Sequence, residues 1–165
     1  MERRDGPVML VLTRQKLPAL ERKGLQAEEG VRHGAYVLLD PPGGSPEAIL
    51  IGTGSEVSVA VEAARVLSDQ GLRARVVSMP SWELFAAQPE SYREAVLPNR
   101  VRVRVAVEAA GPQGWSRWTT DEGAMIGMEG FGASAPAEEL FQHFKITPEH
   151  LVETVKRLQS RATRA

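Results

Sequence analysis

The chain has 165 residues, 42% hydrophobic and 25% charged, enough to bury roughly 70% of its unfolded surface in one sizeable core. Twenty basic residues stand against 21 acidic ones, a net charge of −1, which gives no electrostatic ground for a nucleic acid or an anionic membrane as partner. The absence of cysteine excludes disulfides and thiolate metal sites and agrees with a reducing compartment. No apolar run nears the roughly 20 residues of a membrane span, and residues 1–5 lead into no signal-peptide core, so the chain reads as a soluble, cytoplasmic protein.

Residues 8–12 (Val-Met-Leu-Val-Leu) form a continuous apolar run behind Gly6-Pro7, the pattern of a strand covered on both faces of a parallel sheet. The stretch 13–34 that follows is polar and shows neither a helical nor a strand period, and so long a loop inside a compact domain argues for a domain boundary. On this reading the first strand belongs to a sheet whose other strands are not in the chain. Residues 35–40 read as a strand, and Pro41-Pro42-Gly43-Gly44-Ser45-Pro46 as a turn or hairpin connection that sets this strand antiparallel beside the next.

That next segment, 49–70, is the centre of the fold. Ile49, Leu50 and Ile51 make a strand, Gly52-Thr53-Gly54-Ser55 a turn, and Val57, Ala60, Val61, Ala64 and Leu67 the apolar stripe of a helix whose polar stripe is Ser58, Glu62, Arg65 and Asp69. Thr53 and Glu56 have capping-box spacing, and Gly71 stands where a left-handed C-terminal cap belongs. With a second apolar strand at 75–79, this is a βαβ unit, which requires a parallel pair and a right-handed crossover. Two short helical pieces follow at 80–85 and 89–96. Val101, Val103, Val105 and Val107 alternate with Arg100, Arg102, Arg104 and Ala106, a strand with one apolar face. A last short strand is expected at 124–128, then a helix with Glu138 and Glu139 in its first turn. Thr147-Pro148-Glu149 opens the final helix, with Leu151, Val152, Val155 and Leu158 on its apolar face and fraying expected from residue 160.

The turn at 52–55 could bind phosphate at a helix start, but it lacks the third glycine of a dinucleotide fingerprint and the Gly-Lys-Thr/Ser ending of a P-loop, so a capped βα turn is the better reading. His33, His143 and His150 have no metal-ligand spacing, and neither Ser55 nor Ser134 sits in a nucleophile elbow. The arginines of the alternating strand read as solvated or salt-bridged, and Trp115 and Trp118 as packing at a domain or subunit interface. Arg14 differs. It follows the buried run at its carboxyl end, where open α/β sheets bind ligands, and its guanidinium could hold a phosphate through two parallel hydrogen bonds, the alternative being an ion pair across the boundary.

Seven blocks of residues, in order and spacing, resemble the C-terminal region of transketolase. They are Leu12-Thr13-Arg14-Gln15-Lys16-Leu17-Pro18, Gly34-Ala35-Tyr36-Val37-Leu38, Ile51-Gly52-Thr53-Gly54-Ser55-Glu56-Val57, Val76-Val77-Ser78-Met79-Pro80, Tyr92-Arg93-Glu94-Ala95-Val96-Leu97-Pro98, Val107-Glu108-Ala109 and Phe131-Gly132-Ala133-Ser134-Ala135-Pro136. The Thr-Arg-Gln block favours transketolase over thiamine-dependent relatives such as deoxyxylulose phosphate synthase. His33 and Glu129 depart from the family pattern in loops.

The resemblance implies a three-layer α/β/α domain with a mixed, mostly parallel five-stranded sheet. It divides the chain into the end of a pyrimidine-binding domain (1–15), a linker (16–34), the transketolase C-terminal domain (35–160) and a frayed tail (161–165). It further implies an enzyme of the pentose phosphate pathway and carbohydrate metabolism, a homodimeric transferase moving a two-carbon ketol unit between sugar phosphates with thiamine diphosphate and magnesium. Arg14 stands at the family's substrate-phosphate position. The family's Gly-Asp-Gly metal motif with its downstream Asn, its cofactor-activating glutamate and its catalytic histidines have no counterpart in this sequence, so catalytic, cofactor and metal residues are expected in a missing N-terminal region. The chain is then expected to serve as scaffold and dimer interface and to be inactive alone. A free-standing α/β module, binding a small ligand or a protein, is the alternative.

Overall fold

The computed structural model describes residues 6–20 and 27–162; residues 1–5, 21–26 of the expected linker and 163–165 of the expected tail lie outside the described residues. Five strands, β1 (Tyr36–Leu39), β2 (Ala48–Gly52), β3 (Ala74–Ser78), β4 (Arg104–Val107) and β5 (Ala124–Ile126), form one sheet in the order β1-β3-β2-β4-β5. β2 runs parallel to β3 on one side and to β4 on the other, β5 continues parallel beside β4, and β1 closes the far edge antiparallel to β3.

Side chains alternate between the two faces of the sheet and so build two cores. Leu50, Val76, Val105 and Val107 face one side, where α2 (Glu56–Asp69) and α6 (Pro148–Ala162) cover them with Ala60, Ala64, Leu67, Leu151 and Val155. Ile49, Ile51, Val77 and Ala106 face the other, under Phe85 of α3 (Trp82–Ala86), Val96 of α4 (Glu90–Val96) and Trp115 of a short 3-10 turn (Trp115–Arg117). The result is the three-layer α/β/α architecture expected from the sequence. The two remaining helices are α1 (Ala27–Arg32) and α5 (Ala137–His143).

The local signals at the start of the last helix and at the end of α2 act as their residue types dictate. Gly71 (φ +78°) ends α2 in a Schellman arrangement, with the Leu72 amide donating to Leu67 O at 2.9 Å and the Gly71 amide to Ser68 O at 2.9 Å. Thr147 Oγ1 accepts from the His150 amide at 3.3 Å and caps α6 behind Pro148.

Several expectations are corrected. The antiparallel edge strand β1 lies beside β3, not beside the central β2, because the residues between Leu39 and Ala48 carry the chain across β3 instead of closing a hairpin. Residues 27–32, read as loop, form α1: it is held by tertiary packing, since a Cβ on Gly30 would stand 2.3 Å from the Tyr36 ring. The run 8–12, expected to have its sheet neighbours outside this chain, takes no strand partner among the described residues, and its side chains are exposed, Met9 by 88% and Val11 by 77%. The last helix continues to Ala162, past the expected start of fraying. Trp115 and Trp118 are buried in the chain's own core under α3 and α4 (the lower core), with Trp115 edge-on to Trp82 at 5.1 Å and Trp118 against Phe85 at 5.1 Å, not set at a domain or subunit interface.

Candidate functional site

β2 sends its crossover through α2 to β3, whereas its other neighbour β4 belongs to the opposite half of the sheet. The carboxyl ends of β2 and β4 therefore flank a topological switch point, the position where open α/β sheets form ligand crevices. Two acidic residues follow these strand ends. Glu56, the first residue of α2, is 4% exposed; Glu108 directly follows β4 and is half-buried.

The expected capping box is not formed. The N-cap position falls on Ser55, which has helical dihedrals (φ −66°, ψ −31°) and no side-chain cap bond. Its Oγ donates instead to Glu56 Oε1 at 2.5 Å. The Glu56 carboxyl is buried, while the Glu56 amide donates to Thr53 O at 3.2 Å. Burial raises its pKa; the Ser55, Ala109 and Glu56 hydrogen bonds oppose that shift and the neighbouring Glu108 charge adds to it, with a net rise above the usual carboxylate value. A buried acid of the chain itself stands at the positive end of α2, and the Glu56 and Ser58 amides are already bonded to Thr53 O and Ser55 O, which argues against the phosphate reading of the turn 52–55.

Glu108 Oε2 accepts the Trp115 indole N–H at 2.8 Å. Gly114 (φ +87°) lies flat on the next ring of the cluster: a Cβ there would stand 2.5 Å from Trp82 Cζ3. Gly127 also lies close against the loop after β4: a Cβ there would stand 2.6 Å from Ala110 O. Sequence reasoning missed both acids as a pair. Glu56 had a usable signal, since it sits four residues before Ala60 and seven before Ala63 on the buried stripe of α2; Glu108 had none.

The other candidates are scattered. Arg14 is exposed in the segment 6–20, next to a side-chain hydrogen bond from Thr13 to Gln15. His33 packs on Tyr92 at 4.6 Å, His143 on Phe144 at 4.8 Å, and His150 faces Glu153 at 3.9 Å. Ser134 is exposed in the loop before α5. Arg102 pairs with Asp121 and Glu122 as expected of a surface arginine. Arg104 does not. It is 6% exposed, and its guanidinium donates to Val101 O at 3.1 Å, Trp118 O at 3.2 Å, Leu97 O at 3.1 Å and Pro98 O at 3.0 Å. Burial lowers its pKa; Glu94 opposes and Arg102 reinforces that shift. β4 is covered on both faces, so its arginine is a structural tie, not part of a solvated ladder.

An open groove of about 780 Å³ runs between α5 and the start of α6, lined mainly by Val59, Phe141, Ile146 and Pro148. No group of three or more His, Cys, Asp or Glu among the described residues could hold a metal ion.

A family model described as the transketolase-like TK C-terminal domain matches residues 34–147. The transketolase of Geobacillus stearothermophilus is 44% identical over 158 residues, which are 96% of this chain and 24% of that protein. Among solved structures, transketolase from Leishmania mexicana superposes with a TM-score of 0.74 at 51% identity, over 81% of this chain and 19% of that one. A structure described as a split gene transketolase, inactive β4 tetramer, superposes with a TM-score of 0.66 at 17% identity, over 89% of this chain and 48% of that one, a likeness of fold. The chain spans about a quarter of the length of the curated relatives it matches.

Proposed function

Because the chain belongs to the transketolase-like C-terminal domain family, we propose that it works as the C-terminal region of a transketolase, which transfers a two-carbon ketol unit between sugar phosphates. The observation that carries the reading is collinear identity over 96% of the chain, reaching back beyond the family match at residue 34 into the stretch that holds Thr13, Arg14 and Gln15. Thiamine diphosphate and magnesium would supply the carbanion chemistry from sites in the N-terminal region.

In this reading residues 1–15 end the pyrimidine-binding domain and 16–34 link it to the C-terminal domain. The exposed apolar run 8–12 supports this division, since an uncovered apolar ribbon gains free energy when another sheet accepts it. Arg14 then binds the substrate phosphate. Its planar fork suits two phosphate oxygens, and an always-charged group keeps that grip across the physiological pH range. The C-terminal domain contributes scaffold and subunit interface to a homodimer. The split-gene neighbour gives a precedent for such a region carried on a separate chain.

The test is a ketol-transfer assay on the purified chain with thiamine diphosphate, magnesium and a ketose phosphate and aldose phosphate pair. No turnover is expected from the chain alone; turnover above the protein-free control would overturn the division of labour.

A further inference from the structure

We propose that α5 and the loop ahead of it make a two-fold contact with a second copy of this chain: the two α5 helices lie antiparallel, and Phe131 of each copy seats in the groove between α5 and α6 of the other. This rests on the homodimer part of the reading above and says which surface carries it.

α5 is incomplete as a helix of a packed domain. A surface helix buries an apolar stripe, yet no residue of α5 is buried, and Leu140, Phe141 and the following Phe144 are each covered only in part. Ahead of it residues 129–136 are all exposed. Phe131 shows 99% of its surface, more than any other large apolar side chain among the described residues. Nothing lies within 4 Å of a Cβ built on Gly130 or on Gly132, so the ring has open space on both sides. The loop is nevertheless tied at its two ends, where the Met128 amide donates to Ala110 O at 2.9 Å and the Leu140 amide to Pro136 O at 3.1 Å. An aromatic ring held out in water from an anchored loop has the form of an interface anchor, a side chain that fills a pocket on its partner.

A pocket of that kind is on the same surface. The groove of about 780 Å³, with Val59, Phe141, Ile146 and Pro148 as its apolar lining, opens beside the end of α5. When two α5 helices run antiparallel, the start of one stands beside the end of the other, and the loop ahead of α5 in one copy meets the groove of its partner. The two-fold axis repeats the insertion in the opposite direction, so the contact closes as a dimer.

Charge selects a second copy as the occupant. Glu138 and Glu139 lie in the first turn of α5, His143 in its last turn, and Lys145 just after it. None of these four side chains has an ion-pair partner among the described residues. Antiparallel pairing brings the acids of each copy to Lys145 and a protonated His143 of the other, whereas parallel pairing sets like charges together. An element that is acidic at one end, basic at the other and apolar between them is complementary to itself in that one direction.

The test is sedimentation equilibrium of the full chain at pH 7 across the micromolar range. The wild type should show a monomer–dimer equilibrium, and Phe131→Ala, a change in an exposed loop, should weaken the dimer by about 30-fold or more. The pair Glu138→Lys with Glu139→Lys, and separately His143→Glu with Lys145→Glu, should each weaken it too, while an equimolar mixture of these two variant chains should regain a dimer. A wild-type chain that stays monomeric would overturn the proposal and leave the ketol-transfer reading, which rests on a separate assay, untouched. So would wild-type dimer affinity for Phe131→Ala, or no recovery on mixing charge variants that keep the wild-type far-UV circular dichroism. Association that ignores every one of these substitutions would place the contact elsewhere, on the exposed residues 8–12 first of all, and would overturn the proposal while leaving a dimer standing.

Discussion

Arg104 offers the sharpest test of how the lower core is assembled. Its guanidinium ties the end of α4 (Leu97, Pro98), the approach to β4 (Val101) and the end of the 3-10 turn (Trp118) through four charge-assisted hydrogen bonds. At about 1.5–3 kcal/mol net each, and because four bonds from one fork are not additive, the tie is worth about 3–5 kcal/mol. Arg104→Met fills similar volume without the donors and should cost about 3–5 kcal/mol; at roughly 2–4 °C per kcal/mol for a chain of this size, the melting temperature should fall by about 10 °C. Arg104→Lys keeps the charge but replaces the planar fork by a compact head that cannot span three segments, so it should lose most of the same stability. Urea and thermal unfolding at pH 7 read both, with exposed Arg65→Ala as a control expected within about 0.5 kcal/mol of wild type. A fall of less than about 2 °C for Arg104→Met, or wild-type behaviour of Arg104→Lys, would refute the tie, given the scale above.

Lys145 ends α5 in a left-handed conformation (φ +56°), with the Ile146 amide donating to Phe141 O at 2.8 Å, so Lys145→Gly should stabilise the chain by about 0.5–1 kcal/mol in urea titrations. Removing residues 1–17 should change the unfolding free energy by no more than about 0.5 kcal/mol, since residues 6–17 are exposed, whereas removal of residues 1–34 takes away Leu20, Gly30 and Gly34 from around Tyr36 and α3 and should be plainly destabilising. In a complete transketolase carrying this region, Arg14→Ala should raise KM for phosphorylated acceptors while leaving unphosphorylated ones nearly unchanged; equal effects on both would reject the phosphate contact.

The elements whose reasons are local were legible in the sequence. The βαβ unit from β2 to β3 declares itself through two buried runs, one helical stripe and Gly71, and the structure adds only the register. β1 was legible as a strand but not in its place, because pairing with β3 depends on contacts far apart in the chain. Arg104 was misread for a related reason. Alternation of arginine and valine describes a half-exposed strand, yet β4 lies between β2 and β5 with cover on both faces, and only the carbonyls of three other segments make a buried guanidinium tolerable. Glu56 was read as a cap because capping-box spacing and a buried acid look alike until the burial of its carboxyl and its bond from Ser55 are known. α1 carries no period of its own and is stabilised by what it packs on.

The most direct test of the central reading is complementation. The 165-residue chain is mixed, with thiamine diphosphate and magnesium, with the N-terminal three quarters of a transketolase truncated where this chain's similarity begins. Ketol transfer that rises and saturates with added chain, from a baseline near zero for either part alone, is the predicted result. Activity of the truncated partner that is unchanged by the chain, while the two parts bind one another in calorimetry, would contradict the claim that this region completes the enzyme.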